Sequence, residues 1–320
     1  MEGAECEVTK LLKDLLSKEE SDESRLKGLE AFKPQPTDIF VVSPQKCGTT
    51  WMQQIVHGLR SKGNMDFDAI ENVIPYVEMA HDYGYGDLEK EQGFSPRVYK
   101  AHVWYPHCPK GAGKYVFVLR DPEPAGVSFY HFLNGWIFEK DVATIDQFLE
   151  TFYLSRGPAE SILQNASYWD IISTWYAHRN DPNVLWMHYE DMLDDLPKCV
   201  ELISNFLGIG VGDSELLELV EEQSTFDFMK AHWEKFDERP LKEVFNTFWG
   251  QPSNAGTNGQ NSKVRQGKRA KVKFSDKIQK QFNLKWETTV KPATGYASYN
   301  ELREGVNKEL GRNFRVKTDV

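Results

Sequence analysis

The stretch from Ile39 to Trp51, I-F-V-V-S-P-Q-K-C-G-T-T-W, constrains this chain more than any other. Four successive apolar residues have the length of a short buried strand. A tight turn follows, carrying one lysine, one glycine and two threonines. Trp51, Met52, Ile55, Val56 and Leu59 then recur at helical spacing. A strand, a phosphate-sized loop and a helix N-terminus make an anion site built largely from backbone N–H groups. Lys46 adds a full positive charge and the hydroxyls add donors. The Walker pattern G-x-x-x-x-G-K-[ST] sets its lysine directly after the last glycine. Here Lys46 comes two residues before Gly48, and no glycine opens the turn. A P-loop kinase or ATPase loses its main support.

Apolar patterns at 38–43, 98–102, 115–120 and 184–189 predict four strands. Helical patterns near 51–61, 125–134, 144–154 and 165–179 lie between them. This alternation predicts an α/β fold, a parallel sheet covered on both faces. Further helices are predicted at 197–207, 213–222, 224–234 and 275–286. Val8, Leu11, Leu12, Leu15 and Leu16 mark an amphipathic helix whose apolar face packs on the body of the protein. An acidic, polar stretch follows at 18–25. Residues 253–262, S-N-A-G-T-N-G-Q-N-S, read as a mobile loop.

A net charge of −10 argues against general nucleic-acid binding, and a polyanionic ligand needs a locally basic site. Cys6, Cys47, Cys108 and Cys199 show neither metal spacing nor a disulfide framework, which fits a reducing compartment. The N-terminus has no apolar signal core, and no apolar run approaches a membrane span. The expected setting is the cytoplasm, with no membrane or nucleic-acid partner and no metal.

Five further segments carry chemistry. In Y-V-F-V-L-R-D-P-E-P-A-G-V-S, from Tyr115 to Ser128, a strand ends in Arg120 and prolines start a helix bearing Ser128. Arginine at the carboxyl end of such a strand is well placed for an anion, unless it merely pairs with Asp121. In V-Y-K-A-H, Lys100 and His102 sit two apart on a strand and share a face. The histidine suits proton abstraction near neutral pH, and the lysine suits developing negative charge. His107 is the rival base. The strand V-L-W-M-H-Y-E-D-M ends at Tyr189, with Glu190 and Asp191 solvated or paired with bases. Ser224-Thr225-Phe226 with Asp227 reads as a capping box starting at Ser224. Lys263 to Lys273 holds six basic residues and no acid, a solvated run or a nuclear-localisation signal on its face.

Taken in order, these segments resemble the cytosolic sulfotransferases, which use 3′-phosphoadenosine 5′-phosphosulfate (PAPS). P-x-K-x-G-T-T-W resembles the family's 5′-phosphosulfate loop, with Cys47 where serine is usual. Arg120 and Ser128 stand at the two 3′-phosphate positions, and K-A-H matches K-T-H, whose histidine is the catalytic base. Tyr189, Thr225, Phe226 and Trp51 match residues around the adenine. Arg265-Gln266-Gly267 resembles the R-K-G that closes over the 3′-phosphate, with Gln266 replacing a lysine that Lys268 or Arg269 could replace in turn. The resemblance implies a single P-loop-kinase-like α/β domain at 35–312, after an N-terminal helix and acidic segment at 1–34 and before a tail at 313–320. It implies sulfuryl transfer from PAPS to a hydroxyl or amine of a small-molecule acceptor, without metal. His102 would deprotonate the acceptor. Lys46 would meet the bridging oxygen, Lys100 would steady the sulfuryl group, and Gly48, Thr49 and Thr50 would cradle the phosphosulfate. The rivals are a nucleotide or small-molecule kinase and a non-catalytic adenosine-bisphosphate-binding protein. The family's dimer motif K-x-x-x-T-V-x-x-x-E is degraded here: Lys285 to Val290 fits its start, but Thr294 replaces the final acid, and the better-registered Lys271 to Lys280 departs at Ser275, Asp276 and Lys280. A family-style homodimer has only this partial support. Tyr76–Met79 and Tyr83–Tyr85 are candidates for an acceptor pocket.

Overall fold

A computed structural model of the chain describes residues 7–16, 20–138, 140, 142–257, 264 and 273–315. Four strands form one parallel sheet: β1 (Ile39–Val42), β2 (Val98–Ala101), β3 (Lys114–Leu119) and β4 (Val184–His188), in the order β2-β1-β3-β4. All four lie where the apolar runs predict. Side chains alternate between two cores, because successive residues of a strand face opposite sides. Phe40, Val42, Tyr99, Phe117 and Trp186 enter one core; Ile39, Val41, Val98, Val116 and Met187 enter the other. With both faces covered, every position must be apolar, which is why the strands read as unbroken hydrophobic runs. Lys100 breaks that rule, only 1% exposed in the middle of β2's run.

The helix Thr49–Ser61 follows β1 and lays Met52, Ile55, Val56 and Leu59 on the second core. The helix Pro122–Leu133 follows β3. Asp121 caps it, accepting from the Glu123 N–H at 3.0 Å, and Pro122 supplies a first-turn residue with no N–H to satisfy. The N-terminal helix Glu7–Leu16 buries Leu12 in the same core as Phe40, as its amphipathic pattern predicts.

Several expectations need correction. The polar stretch at 18–25 contains a short helix, Asp22–Arg25, with Arg25 fully buried. Its guanidinium bonds the Ile162 and Gln164 carbonyls and Asn165, and pairs with Glu20 at 3.2 Å. A buried arginine is tolerable only when its fork is satisfied in this way. The segment 224–234 splits into Phe226–Ala231 and a tight turn at Trp233–Phe236. Its cap is Thr225, whose Oγ1 accepts from Phe228 N–H at 3.3 Å, so the capping box read from Ser224 is displaced by one residue. Two helices, Arg239–Phe248 and Tyr299–Glu309, were not expected at all. The first of them ties down the early part of the 253–262 loop. Asn246 Nδ2 donates to the Ser253 and Ala255 carbonyls at 3.0 Å, and Lys242 Nζ to the Gly256 carbonyl at 2.7 Å. Residues 258–262 lie outside the described residues. The start of the dimer pattern at Lys285 to Val290 is helical, and Val290 is buried in the core.

The sheet order places the site. The chain leaves β1 for one neighbour, β2, and later returns to the other, β3. The carboxyl ends of these three strands therefore open a crevice at the switch point, where ligands of open α/β sheets bind.

Candidate active site

A cavity of about 240 Å³ occupies that crevice. β1 delivers the loop at Lys46 and Gly48, which both take positive φ, 65° and 94°. Left-handed residues in such a turn, ahead of the helix Thr49–Ser61, are the backbone geometry from which anion-binding concavities are built. Gly48 is required twice over. A Cβ there would lie 2.7 Å from the Tyr189 ring, and the backbone is left-handed. Gly48→Ala is expected to cost about 1–2 kcal/mol from the backbone alone. The displaced Tyr189 adds to that loss, so both the melting temperature and the affinity for adenosine 3′,5′-bisphosphate should fall, read by calorimetry.

Lys46, Gly48, Thr49, Thr50 and Trp51 all line the cavity. Cys47 does not. Its side chain is fully buried, its thiol 3.7 Å from the Gln45 carbonyl, and burial pushes its pKa far above the usual thiol range. The exchange of serine for cysteine therefore falls on the core side of the loop.

β3 delivers Arg120, and the next helix delivers Ser128 to the same cavity. The guanidinium lies over the Tyr189 ring at 4.3 Å and donates to the Lys46 carbonyl at 3.2 Å. Its Nε is buried and has no hydrogen-bond partner among the described residues. A buried donor left open on a cavity wall fits an absent anionic ligand. The expected alternative, a surface pair with Asp121, does not form; Asp121 turns to its capping role. Burial, with Glu190 also nearby, raises the Asp121 carboxyl to about 7.

β2 delivers Lys100 and His102. His102 stands one residue beyond the strand and is buried. Its Nδ1 lies 2.8 Å from the Ser43 carbonyl. A carbonyl only accepts, so Nδ1 carries the proton and Nε2 is the basic nitrogen of the neutral ring. Lys100 is ion-paired with Glu238, and its Nζ lies 4.5 Å from the Tyr76 ring centroid. Burial alone would lower its pKa, but Glu238 and Glu71 outweigh that and the net shift is upward. The lysine is thus held as a cation. His107 does not line the cavity. It stacks edge-on with Trp104 at 5.1 Å, and burial lowers its pKa.

Around Trp51, the cavity is lined by Tyr189, Phe226 and Ser224. The indole Nε1 donates to the Ser224 carbonyl at 2.7 Å. Thr225 faces away as the helix cap, and its neighbour Ser224 takes the lining position, with a buried Oγ that has no partner among the described residues. His188 is a core residue: it accepts from Trp186 Nε1 at 3.0 Å and meets Tyr299 OH at 3.2 Å. Glu190 accepts from Tyr299, and Asp191 pairs with Arg303 at 2.7 Å. Arg265, Gln266 and Gly267 lie outside the described residues, as do Lys268 and Arg269.

The family model for the sulfotransferase domain matches residues 36–289. The chain belongs to the sulfotransferase family. Among curated sulfotransferases, the amine sulfotransferase of Oryctolagus cuniculus is 31% identical over 213 residues, which is 64% of this chain and 67% of the relative. Sulfotransferase 6B1 of Mus musculus is 31% identical over 214 residues, 64% of this chain and 66% of that protein. The fold is shared with solved structures. Mouse sulfotransferase SULT7A1 complexed with PAP superposes with a TM-score of 0.61 at 23% identity, covering 89% of this chain and 94% of that one. Retinol dehydratase in complex with retinol and PAP gives 0.60 at 20% identity, covering 83% and 86%.

Sequence reasoning missed the far wall of this sulfotransferase cavity. Phe132, Trp136, Leu241, Phe245 and Trp249 line it, together with Glu20 and Glu238. Leu241 and Phe245, four apart after Pro240, carry a helical signal that could have revealed the helix Arg239–Phe248. Of the two aromatic stretches proposed for an acceptor pocket, only Tyr76 reaches the cavity. Tyr83 instead accepts from the Tyr76 N–H at 3.1 Å.

Proposed function

We propose that this sulfotransferase moves a sulfuryl group from PAPS to a hydroxyl or amine of a small-molecule acceptor, with His102 as general base. The observation that carries the reading is the Nδ1 tie to Ser43. It leaves a basic Nε2 on a cavity that also presents Lys46, Lys100 and Arg120. Lys100 is paired with Glu238, so Lys46 and Arg120 supply, within a chain of net charge −10, the local basic character that a polyanionic donor needs. The acceptor gives its proton to Nε2 as its oxygen or nitrogen bonds to sulfur. The bridging S–O bond breaks, and its electron pair leaves with the 5′-phosphate. Lys46 neutralises that leaving charge, the backbone N–H groups of the loop hold the phosphosulfate, and Lys100 steadies the sulfuryl oxygens. This is catalysis by positioning and charge stabilisation, as in phosphoryl transfer. Arg120 and Ser128 hold the 3′-phosphate. Trp51, Tyr189 and Phe226 surround the adenine.

The aromatic wall supports a small, largely apolar acceptor. The three cysteines among the described residues are free and buried, which supports a cytoplasmic setting. Incubation with PAPS and a broad panel of phenols, alcohols and amines, read by mass spectrometry for a gain of one SO₃, tests the reading. Sulfated product with PAPS and no phosphorylated product with ATP is expected. Phosphorylation would overturn it in favour of a kinase. Tight PAP binding with no product across the panel would favour a non-catalytic binding protein.

A further inference from the structure

The base stands at the end of an edge strand. β2 pairs with β1 on one side; on the other, among the described residues, the Gln92 side chain bonds the Val98 backbone and a short piece of chain, Pro75 to Glu78, runs beside Lys100 and His102. Two rungs of a parallel ladder form there: Lys100 N–H donates to the Pro75 carbonyl at 2.8 Å, and Val77 N–H to the Lys100 carbonyl at 3.0 Å. The next rung should run from His102 N–H to the Val77 carbonyl. It does not. The Val77 carbonyl is pressed against Gly28, where even a Cβ would come within 1.8 Å of it, and the chain turns away as Met79 N–H bonds the Tyr76 carbonyl at 3.0 Å. The missing acceptor is replaced by a side chain. Glu78 Oε1 accepts the His102 N–H at 2.6 Å, from a residue that is itself 0% exposed.

We propose that Glu78 is the positioning residue of the base, fixing the His102 backbone while the Ser43 carbonyl fixes its ring. The inference rests on the reading of His102 as general base. His102 is thereby held by two elements: its main chain by the segment after Pro75, its imidazole by the loop after β1. Without Glu78 its N–H would be a buried donor with no ladder partner, and the residue would shift to find one. Burial pushes the Glu78 carboxyl up to about 8, against the pull of Arg25 and with the push of Glu20. At neutral pH the side chain is therefore mostly a neutral acid, for which glutamine is a close copy. Its Oε2 has no hydrogen-bond partner among the described residues, so the contact with His102 is the polar bond this side chain offers.

The test compares Glu78→Gln, Glu78→Met and His102→Ala in the full chain, with PAPS and an acceptor found by product screening. Glutamine keeps the acceptor and methionine keeps only the volume. Turnover close to native is expected for Glu78→Gln. For Glu78→Met, kcat should fall about 10- to 100-fold, the scale of a misplaced catalytic group. Affinity for adenosine 3′,5′-bisphosphate should stay native in both, which a general loss of structure would not allow. Native kcat in Glu78→Met, equal losses in both variants, or a parallel loss of bisphosphate affinity would each overturn the proposal. Should the methionine variant not fold, Glu78→Asp withdraws the carboxyl by one methylene and should still lower kcat; native turnover there overturns the proposal equally. His102→Ala separates the two readings. Full activity in it removes the base assignment itself, whereas an inactive His102→Ala beside a fully active Glu78→Met removes only the role of Glu78.

Discussion

His102→Ala is expected to lower kcat by about 10²-fold or more while leaving affinity for adenosine 3′,5′-bisphosphate nearly native. In the proposed mechanism the ring meets the acceptor and not the nucleotide, so the loss belongs to the chemical step. A factor of 10² corresponds to about 2.7 kcal/mol of activation free energy. The fold should survive the change. The ring is held by the Ser43 carbonyl and an edge contact with Tyr76 at 5.2 Å, and it is not a member of the two main apolar cores. Single-turnover kinetics with excess enzyme and calorimetry with the bisphosphate would check both halves. Near-native kcat would remove His102 from the mechanism. His107 would not inherit the role, because it does not line the cavity.

Arg120→Ala and Lys46→Ala are expected to separate the two ends of the donor. In the proposed mechanism Arg120 holds the 3′-phosphate, whose charge is the same before and after transfer, so loss of the arginine should appear as weaker binding of PAPS and of the bisphosphate alike. A charge-assisted hydrogen bond contributes about 1.5–3 kcal/mol, which is roughly 10- to 100-fold in Kd. In the same proposal Lys46 meets charge that grows as the bridging bond breaks, so its removal should lower kcat more than it weakens bisphosphate binding. The Arg120 side chain also donates to the Lys46 carbonyl at 3.2 Å, so Arg120→Ala loosens the loop as well. Arg120→Lys is the control: it keeps the charge but not the planar fork. Unchanged bisphosphate affinity in Arg120→Ala would sink the phosphate assignment. Equal losses of affinity from both lysine and arginine variants, with kcat intact, would sink the division of labour.

The donor half of the site was legible because each piece is local. A strand, a turn and a helix start lie within thirteen residues from Ile39 to Trp51, and their chemistry depends on neighbours in the chain. Arg120 and Ser128 are likewise one strand end and the helix that follows it. Lys100 and His102 share a strand. For such segments, periodicity and capping chemistry determine the local geometry, and the family resemblance orders them. Two local readings still failed by one residue. Cys47 and Thr225 each face away from the cavity while Ser224 faces it, because the direction of a side chain at a turn is set by backbone angles that composition does not specify.

The far wall of the cavity was not legible apart from Tyr76. Glu20, Trp136 and the pair Glu238 and Phe245 come from three distant parts of the chain, and each looks ordinary where it stands. Their convergence depends on how the helix Arg239–Phe248 and the N-terminal segment dock over the sheet, which is a matter of long-range packing. Burial tells the same story. A lysine in β2, an arginine at 25 and a glutamate at 78 all read as surface residues from their types alone. The tertiary structure buries them and supplies the partners that make their burial tolerable: Glu238 for Lys100, Glu20 and two carbonyls for Arg25, the backbone of the base for Glu78. The sequence by itself determined the sheet and the strand–turn–helix of the loop, since those follow from short-range periodicity, while the proposed reacting groups came from the family resemblance. The far wall of the cavity, and the contact of Glu78 with His102, were decided only when distant segments met, because a contact between them leaves no periodic trace in either one.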